Sequence, residues 1–229
     1  MMKVRAPKRW PMSYRPAVAL QRKLRQRVSL KSAVGRVRFV AGVDASYETR
    51  ADVMYAGVVV IDLKDMSVVE REGAIRKARF PYIPGLLSFR EAPAILAALK
   101  KLNAEPDCIL VDGHGLAHPR RFGIACHLGV ILDLPTIGCA KSLLVGEHAP
   151  VGDARGSWKP LRFEGRIIGR ALRTRDGVKP MYVSPGHKVS FSRAMDIALK
   201  CCIKYRIPEP TRLAHQYVNE MRRRKGLVP

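Results

Sequence analysis

Two aspartates stand directly after apolar stretches that have the pattern of buried strands. Residues 37–43 alternate apolar side chains and lead into Asp44, and the apolar run at residues 108–111 leads into Asp112. The second run is too short for a helix and is followed at once by Gly113, which favours an interior strand. A right-handed crossover places this strand beside and parallel to the first, and neighbouring strands lie about 4.8 Å apart. The two carboxylates are therefore expected close together at one edge of a sheet.

Carboxylates at such a distance repel each other unless a cation lies between them. Magnesium suits this position, because it prefers hard oxygen ligands and keeps open positions for water and phosphate oxygens. Glu91, at the start of a predicted helix, completes an acidic cluster with Asp44 and Asp112. The cluster predicts hydrolysis of a phosphodiester by metal-activated water. Lys141 and His215 are candidates for stabilising the transition state and moving a proton.

Both acidic positions also have purely structural interpretations. Asp112 has the position of a cap for the helix that follows it, in which case residues 112–123 form an ordinary turn between a strand and a helix. Ser88 and Glu91 have the spacing of a capping box, in which Glu91 accepts from the backbone N–H of Ser88. The local pattern leaves these interpretations open beside the catalytic one.

The surrounding elements predict an α/β fold with a mixed five-stranded sheet flanked by helices. Three antiparallel strands precede two parallel ones, at residues 37–43, 54–63, 68–75, 108–111 and 135–140. Helices are predicted from residue 89 or 93 to 102, and over 122–132, 190–204 and 211–224. Residues 166–173 and 181–184 are predicted to form a small hairpin.

Two loops carry residues that suit a nucleic-acid ligand. The stretch Pro81-Tyr82-Ile83-Pro84 is stiff, because each proline restricts its own φ and the residue before it. Its aromatic and aliphatic side chains suit a wedge that enters a base stack; the alternative is that they fill the core. The loop after residue 112 combines glycines with basic side chains, and Gly115, His118 and Arg120 are its expected contacts with an anionic ligand.

The overall charge predicts a polyanionic partner. Among 229 residues, Lys and Arg number 42 and Asp and Glu 19, a net charge of +23 that is unusual for an enzyme of small metabolites. Residues 1–36 contain no acidic side chain and are expected to form a basic arm with one helix, beside a catalytic domain at 37–229. A solvated arm without a partner is the alternative.

Further bounds come from apolar runs and cysteines. The sequence has no membrane span or signal-peptide pattern, so a cytoplasmic protein is expected, with no membrane partner. The five cysteines are an odd number without paired CxxC spacing, which predicts reduced residues of the core.

Longer stretches of the chain resemble the endonuclease V family, which belongs to the ribonuclease H-like superfamily. The resemblance covers most of residues 38–220 and is carried by residues 42–47, 81–91, 111–123, 135–143 and 184–187. It implies a magnesium-dependent endonuclease, with Mn²⁺ as a plausible substitute, that recognises deoxyinosine in DNA. The implied cut is at the second phosphodiester on the 3′ side, leaving a 3′-OH and a 5′-phosphate. Family members also act on inosine in RNA, so the sequence does not choose between the two nucleic acids.

The resemblance also assigns roles to particular residues. The implied catalytic residues are Asp44, Glu91, Asp112, Lys141 and His215, and the three carboxylates also bind the metal. The implied DNA wedge consists of Pro81, Tyr82, Ile83 and Pro84. The pocket for the extruded base is built largely from backbone near Leu87, Gly113 and Ile124. Backbone groups can distinguish hypoxanthine from adenine through its O6 acceptor and its N1–H donor.

Two other functions fit parts of this pattern. Another ribonuclease H-like nuclease, such as a junction resolvase, would use the same carboxylates on a structured substrate, although the wedge argues against it. A basic nucleic-acid-binding protein without catalysis would show the same charge, with carboxylates that only cap and pair. No protein partner is predicted.

Overall fold

Within the described residues, eight strands form one mixed sheet on which helices pack. The computed structural model describes residues 6–7, 9–49 and 51–225; Lys3, Arg5 and Lys8 of the predicted arm and residues 226–229 of the predicted domain lie outside them. The strands are β1 (Phe39–Glu48), β2 (Val53–Asp62), β3 (Val68–Lys77), β4 (Cys108–Val111), β5 (Thr136–Ala140), β6 (Trp158–Phe163), β7 (Arg166–Leu172) and β8 (Met181–His187). The helices are α1 (Tyr14–Arg25), α2 (Leu87–Leu99), α3 (Ile124–Leu132), α4 (Phe191–Lys200) and α5 (Glu209–Lys225).

The sheet has the order β3-β2-β1-β4-β5-β8-β7-β6. β1, β2 and β3 are antiparallel, while β4 lies parallel beside β1 and β5 parallel beside β4, so the predicted α/β class and the order of the five strands are confirmed. The predicted hairpin is present as β7 and β8, but it extends the same sheet through β5. The sheet therefore has eight strands and not five. β6 was not predicted from the sequence, because this outer strand contains Pro160 and only one fully buried residue, Leu161.

Some boundaries differ from the predictions. β1 does not end at residue 43 but continues through Asp44 to Glu48, because β2 pairs with it along that whole length. α2 begins at Leu87, earlier than predicted, and Pro93 lies inside it. The other helices after α2 depart from their predicted bounds by at most four residues.

Helices cover both faces of the sheet. On one face α2 and α3 pack over Ala41 of β1, and on the other α4 and α5 pack over Val40 of the same strand. Successive residues of a strand point to opposite faces. β4 is buried on both faces, which accounts for its continuous apolar run. All five cysteines are free and buried, as the sequence predicts.

The helix predicted in the basic segment is present as α1. It packs on the body of the protein through Ala17 and Leu24, which join apolar clusters with Phe89 and Phe122. None of the described helices combines the length and the apolar character that a membrane span requires.

His127 of α3 lies at the centre of an aromatic cluster that also includes Trp10, Phe89 of α2 and Phe122. Its ring centroid is 4.8 Å from that of Phe89, 5.4 Å from Phe122 and 5.5 Å from Trp10. Nδ1 lies 3.0 Å from the hydroxyl of Ser88, while the buried Nε2 has no hydrogen-bond partner among the described residues. Burial lowers the pKa of His127 from 6.5 to about 3. The ring is therefore neutral in the folded protein.

Replacing His127 with Phe should reduce the acid sensitivity of folding. Between the folded pKa of about 3 and the ordinary value of 6.5, the unfolded chain binds a proton at His127 that the folded chain does not bind. The contribution of the neutral ring to the free energy of unfolding is therefore full above this window and decreases as the pH falls through it. This group contributes a slope of about 1.4 kcal/mol per pH unit near pH 5, and phenylalanine removes it. Urea unfolding at several pH values between about 7 and 4.5 measures the slope. Equal slopes for the parent and His127→Phe would contradict this prediction.

Candidate active site

β1 and β4 bring Asp44 and Asp112 to the same edge of the sheet. The last parallel pair of these strands is Val43 with Val111, and the N–H of Asp112 donates to the carbonyl oxygen of Val43 at 3.4 Å. The two aspartates are therefore equivalent positions on neighbouring strands. Asp44 lies inside the longer β1, whereas Asp112 follows the end of β4.

Glu91 of α2 lies close to both aspartates. Burial raises the pKa of Glu91 to about 8, and the negative charges of Asp44 and Asp112 contribute to the increase. The pKa of Asp44 is also raised, first by burial and then by Asp112, against the lowering effect of His215 and of the Ala45 N–H. Burial and neighbouring negative charge thus oppose the ionisation of Glu91 and of Asp44.

The structural alternatives for these acidic residues are wrong. Ser88 lies inside α2, and its buried hydroxyl pairs with His127 instead of capping the helix. The N-cap of α3 is Gly123, far along the chain from Asp112. Neither Glu91 nor Asp112 therefore serves as a helix cap.

Lys141 reaches Asp112 from the end of β5. Its Nζ lies 2.5 Å from Oδ2 of Asp112, a contact that depends on the parallel pairing of β5 with β4. Arg206 holds the lysine backbone, since its guanidinium donates to the carbonyl oxygens of Lys141 at 2.5 Å and of Pro180 at 2.7 Å. Arg206 was not predicted from the sequence, because no local pattern connects it with residue 141.

α5 brings His215 to Asp44. Nδ1 of His215 lies 2.8 Å from Oδ2 of Asp44, and Nδ2 of Asn219 donates to Nε2 of His215 at 3.0 Å. Because Nε2 accepts, Nδ1 carries the proton and donates to Asp44. Asn219 was also not predicted, although its spacing of four residues places it on the same helix face as His215.

The close approach of α5 to β1 depends on Gly42. A Cβ atom at this position would lie 2.1 Å from the carbonyl carbon of Pro210, so a side chain here would displace the start of α5. Gly42 lies two residues before Asp44 on the same strand. The contact therefore helps to set the position of His215 relative to Asp44.

The donor set suits a hard divalent cation. Carboxylate oxygens are the ligands that Mg²⁺ prefers, and a cation would relieve the repulsion that raises the pKa values of Glu91 and Asp44. Among the residues described, no three acidic, histidine or cysteine side chains form a ready-made metal site; Asp112 pairs with Lys141 and Asp44 with His215. Asp44, Asp112 and Glu91 are the residues that would hold the ion.

Residues 81–85, which we call the wedge loop, expose one aromatic side chain. Tyr82 is 70% exposed, whereas Phe80, just before the loop, is 3% exposed. Ile83 is half-buried against the cluster that contains Phe80 and Leu86. The core-filling alternative thus applies to Phe80 and in part to Ile83, while Tyr82 projects into solvent between two exposed prolines.

His118 and Arg120, expected at the ligand, both turn toward the wedge loop. Nε2 of His118 lies 2.9 Å from the carbonyl oxygen of Gly85. A terminal guanidinium nitrogen of Arg120 donates to the same oxygen at 2.7 Å. Nδ1 of His118 accepts from the N–H of Arg120 at 3.1 Å, so Nε2 carries the proton. Burial, followed by the charge of Arg120, lowers the pKa of His118 to about 4, and the ring is neutral above that pH.

The predicted base-pocket residues lie near the junction of β4 with α3. A Cβ atom at Gly113 would lie 2.8 Å from Cγ2 of Ile124, so these two residues are in contact. The N–H of Gly115 donates to the hydroxyl of Ser184 at 2.8 Å. Leu87, in the first turn of α2, is 37% exposed. The structure thus brings Gly113 and Ile124 together and leaves Leu87 accessible.

A mixed sheet that gathers carboxylates where its antiparallel and parallel parts meet defines a nuclease of the ribonuclease H-like class. The family model described as Endonuclease V matches residues 22–216. The chain belongs to the endonuclease V family.

Relatives and solved structures agree with this assignment. Endonuclease V of Trichormus variabilis is 51% identical over 214 residues, which cover 93% of this chain and 97% of that protein. The crystal structure of endonuclease V from Streptomyces avermitilis has 44% identity and a TM-score of 0.92, and the match covers 98% of this chain and 99% of that one. The Ciona intestinalis endonuclease V, crystallised with a 24mer DNA containing an inosine followed by a ribo-adenosine, has 28% identity and a TM-score of 0.77 over 90% of this chain and 96% of that one.

The family assignment decides among the functional classes. The chain is a nuclease that hydrolyses DNA, which excludes the interpretation as a binding protein without catalysis. Nucleases of this family are generally metal-dependent.

Replacing Asn219 with Leu should remove the hydrogen bond that fixes the tautomer of His215. Without a donor at Nε2, the ring proton can move to that nitrogen, and the hydrogen bond to Asp44 is then lost. We expect DNA cleavage to fall by about tenfold, as for other residues that orient the ligands of a site. Nitrogen NMR shifts of the His215 ring measure the tautomer directly.

Glu220→Gln, at the next position of α5, is the control and should leave both the tautomer and cleavage unchanged. Ring shifts of His215 that are the same in the parent and in Asn219→Leu would refute the role of Asn219.

Proposed function

We propose that the protein is a magnesium-dependent endonuclease that recognises deoxyinosine in DNA and hydrolyses the second phosphodiester on its 3′ side. The products carry a 3′-OH and a 5′-phosphate, and Mn²⁺ is the expected substitute for Mg²⁺. The proposal is carried by the meeting of Asp44, Glu91 and Asp112 in one poorly solvated cluster. The inosine-containing DNA bound to the Ciona relative supports this choice of substrate.

Each side chain of the cluster has a task in this reaction. Asp44, Glu91 and Asp112 would hold Mg²⁺, which would supply an activated water and positive charge against the phosphate. Lys141, beside Asp112, stabilises the negative charge that develops on the phosphate oxygens. The Nδ1–H of His215 donates a hydrogen bond to Asp44 and so orients this carboxylate. The same ring is placed to move a proton next to Asp44.

Recognition requires the damaged base to leave the stack. Flipping a base costs a few kcal/mol, and less when it is mismatched. Tyr82, exposed on a stiff loop, fills the space that the base vacates. The extruded hypoxanthine then meets the backbone at Gly113, beside Ile124 and Leu87, where its O6 and N1–H distinguish it from adenine. Inosine in RNA presents the same base, so inosine-containing RNA is a further expected substrate.

Cleavage of two labelled duplexes that differ only in a single deoxyinosine tests the proposal. The reaction is run with magnesium, with manganese and with EDTA, and the product is sized to the nucleotide. We expect a nick one nucleotide beyond the inosine, only in the inosine duplex and only with the metal present. Equal cutting of both duplexes, or binding by folded protein without any cut, overturns the proposal. An RNA strand with one inosine, tested in parallel, decides whether RNA is cut.

Replacing Asp112 with Ala should abolish cleavage and leave DNA binding intact. The substitution removes a proposed metal ligand and the partner of Lys141, but no positive charge that attracts the phosphate backbone. Nicking assays and binding titrations in EDTA measure the two properties separately. Glu105→Ala, which removes an exposed carboxylate just before the other end of β4, is the matched control. Retained cleavage by Asp112→Ala would rule out its role.

The basic face of α1 offers a contact for the substrate backbone beyond the site. Arg22 and Arg25 line a surface pocket of about 300 Å³ together with Arg121 and Arg166. Arg121 is paired with Glu164 at 3.1 Å. This face supports the proposal that residues 1–36 are a basic arm that binds phosphate beside the domain at 37–229.

The double substitution Arg22→Ala with Arg25→Ala should lower the salt dependence of DNA binding. Each lost phosphate contact reduces the slope of log K against log salt by about 0.9 on duplex DNA, so the two together should reduce it by up to about 1.8. Binding titrations at several salt concentrations give the slopes. Lys64→Ala with Lys200→Ala removes two exposed charges near the start of β1, away from the acidic cluster, and should leave the slope unchanged. A parent-like slope in the arginine variant would show that Arg22 and Arg25 of α1 do not contact the phosphates.

A further inference from the structure

Gln21 is a buried polar residue of α1 that no step of the proposed reaction uses. Its side chain is 1% exposed, although the next residues, Arg22 and Lys23, are exposed. Burial of an amide is costly unless the group is hydrogen-bonded. The partners of Gln21 therefore indicate what the residue does.

The amide of Gln21 connects two loops that are far apart in the sequence. Nε2 donates to the carbonyl oxygen of Gly85 at 3.2 Å and to that of Phe122 at 2.8 Å, and Oε1 accepts from Nε of Arg120. Gly85 ends the wedge loop. Arg120 and Phe122 belong to the loop that follows β4 and carries Gly113.

The carbonyl oxygen of Gly85 is the point where these contacts meet. Gln21, His118 and Arg120 all donate to it, at 3.2, 2.9 and 2.7 Å. Gly85 has a φ of +77°, and a Cβ atom there would lie 2.7 Å from the Arg120 guanidinium, so glycine suits this position on both counts. The next residue, Leu86, is fully buried. The end of the wedge loop is thus fixed, while Tyr82 at its tip remains exposed.

We propose that Gln21 is a positioning residue for the wedge loop. It holds Gly85 and the loop at residues 118–122 in one arrangement, and thereby sets where Tyr82 stands relative to the base pocket at Gly113. This inference rests on the proposed function, in which Tyr82 separates the lesion from its partner strand. The buried face of α1 then serves strand separation, and its basic face serves backbone binding.

The test compares cleavage of inosine in a duplex with cleavage of inosine in a single strand of the same sequence. Gln21→Met keeps the length of the side chain but removes its amide. Only the duplex requires strand separation, so the ratio of the duplex rate to the single-strand rate should fall by about tenfold, as expected for a displaced recognition group. The single-strand rate should remain close to that of the parent. Tyr82→Ala is expected to lower the same ratio.

Leu24→Ala is the matched control on the same buried face of α1. Leu24 packs against Leu116 and Phe122 without a hydrogen bond to the wedge loop, so its loss should lower the melting temperature and keep the ratio. If Gln21→Met does not fold, Gln21→Asn, whose amide is one methylene short of Gly85, decides in its place and should also lower the ratio.

The possible results distinguish a failure of the role of Gln21 from a failure of the wedge role of Tyr82 or of the proposed function. A parent-like ratio for the Gln21 variant, with a lowered ratio for Tyr82→Ala, overturns the role of Gln21 alone. An equal fall in Leu24→Ala also overturns it, since the effect would then be one of stability. An unchanged ratio in Tyr82→Ala overturns the wedge as well. Absence of inosine-dependent cleavage by the parent overturns the proposed function itself.

Discussion

Repulsion among three carboxylates is the constraint on which the rest of this structure depends. The parallel pairing of β1 with β4 makes residues 44 and 112 neighbours, and α2 adds Glu91 to the same region. Isolated negative charges in a poorly solvated region are unfavourable, and the pKa values of Glu91 and Asp44 are raised accordingly. Lys141 and His215 offset part of this cost through direct contacts with the aspartates. The result is a site whose negative charge a bound cation would balance.

Close packing on both faces of the sheet keeps these groups in place. β4 is buried between the helices of the two faces, so its register with β1 cannot shift without exposing apolar surface. The glycine at residue 42 lets the start of α5 lie directly on β1, which holds His215 at Asp44. Because a close-packed interior does not deform gradually, a side chain at residue 42 would displace α5 and disturb the site.

The wedge loop combines an exposed tip with a supported base. Its prolines restrict the backbone, and Tyr82 stands in solvent. At the other end, the carbonyl oxygen of Gly85 receives three donors from α1 and from the loop after β4. In the proposed role, a rigid loop would lose less conformational entropy on entering a base stack than a flexible one. The lowered pKa of His118 keeps its ring neutral, so this support persists at neutral pH.

The sequence by itself determined the α/β class, the five central strands in their order, the hairpin and the neighbouring positions of Asp44 and Asp112, and its long stretches of resemblance determined the family. These follow from periodicity along single strands and from the handedness of a crossover, which are local or general rules. Only the tertiary structure decided that the hairpin extends the sheet to eight strands, that Ser88 binds His127, and that Gln21 and Arg120 hold the wedge loop. Gln21 and Phe122 are 101 residues apart. Hydrogen bonds at such a separation depend on how whole elements pack, and they leave no periodic signal in the chain.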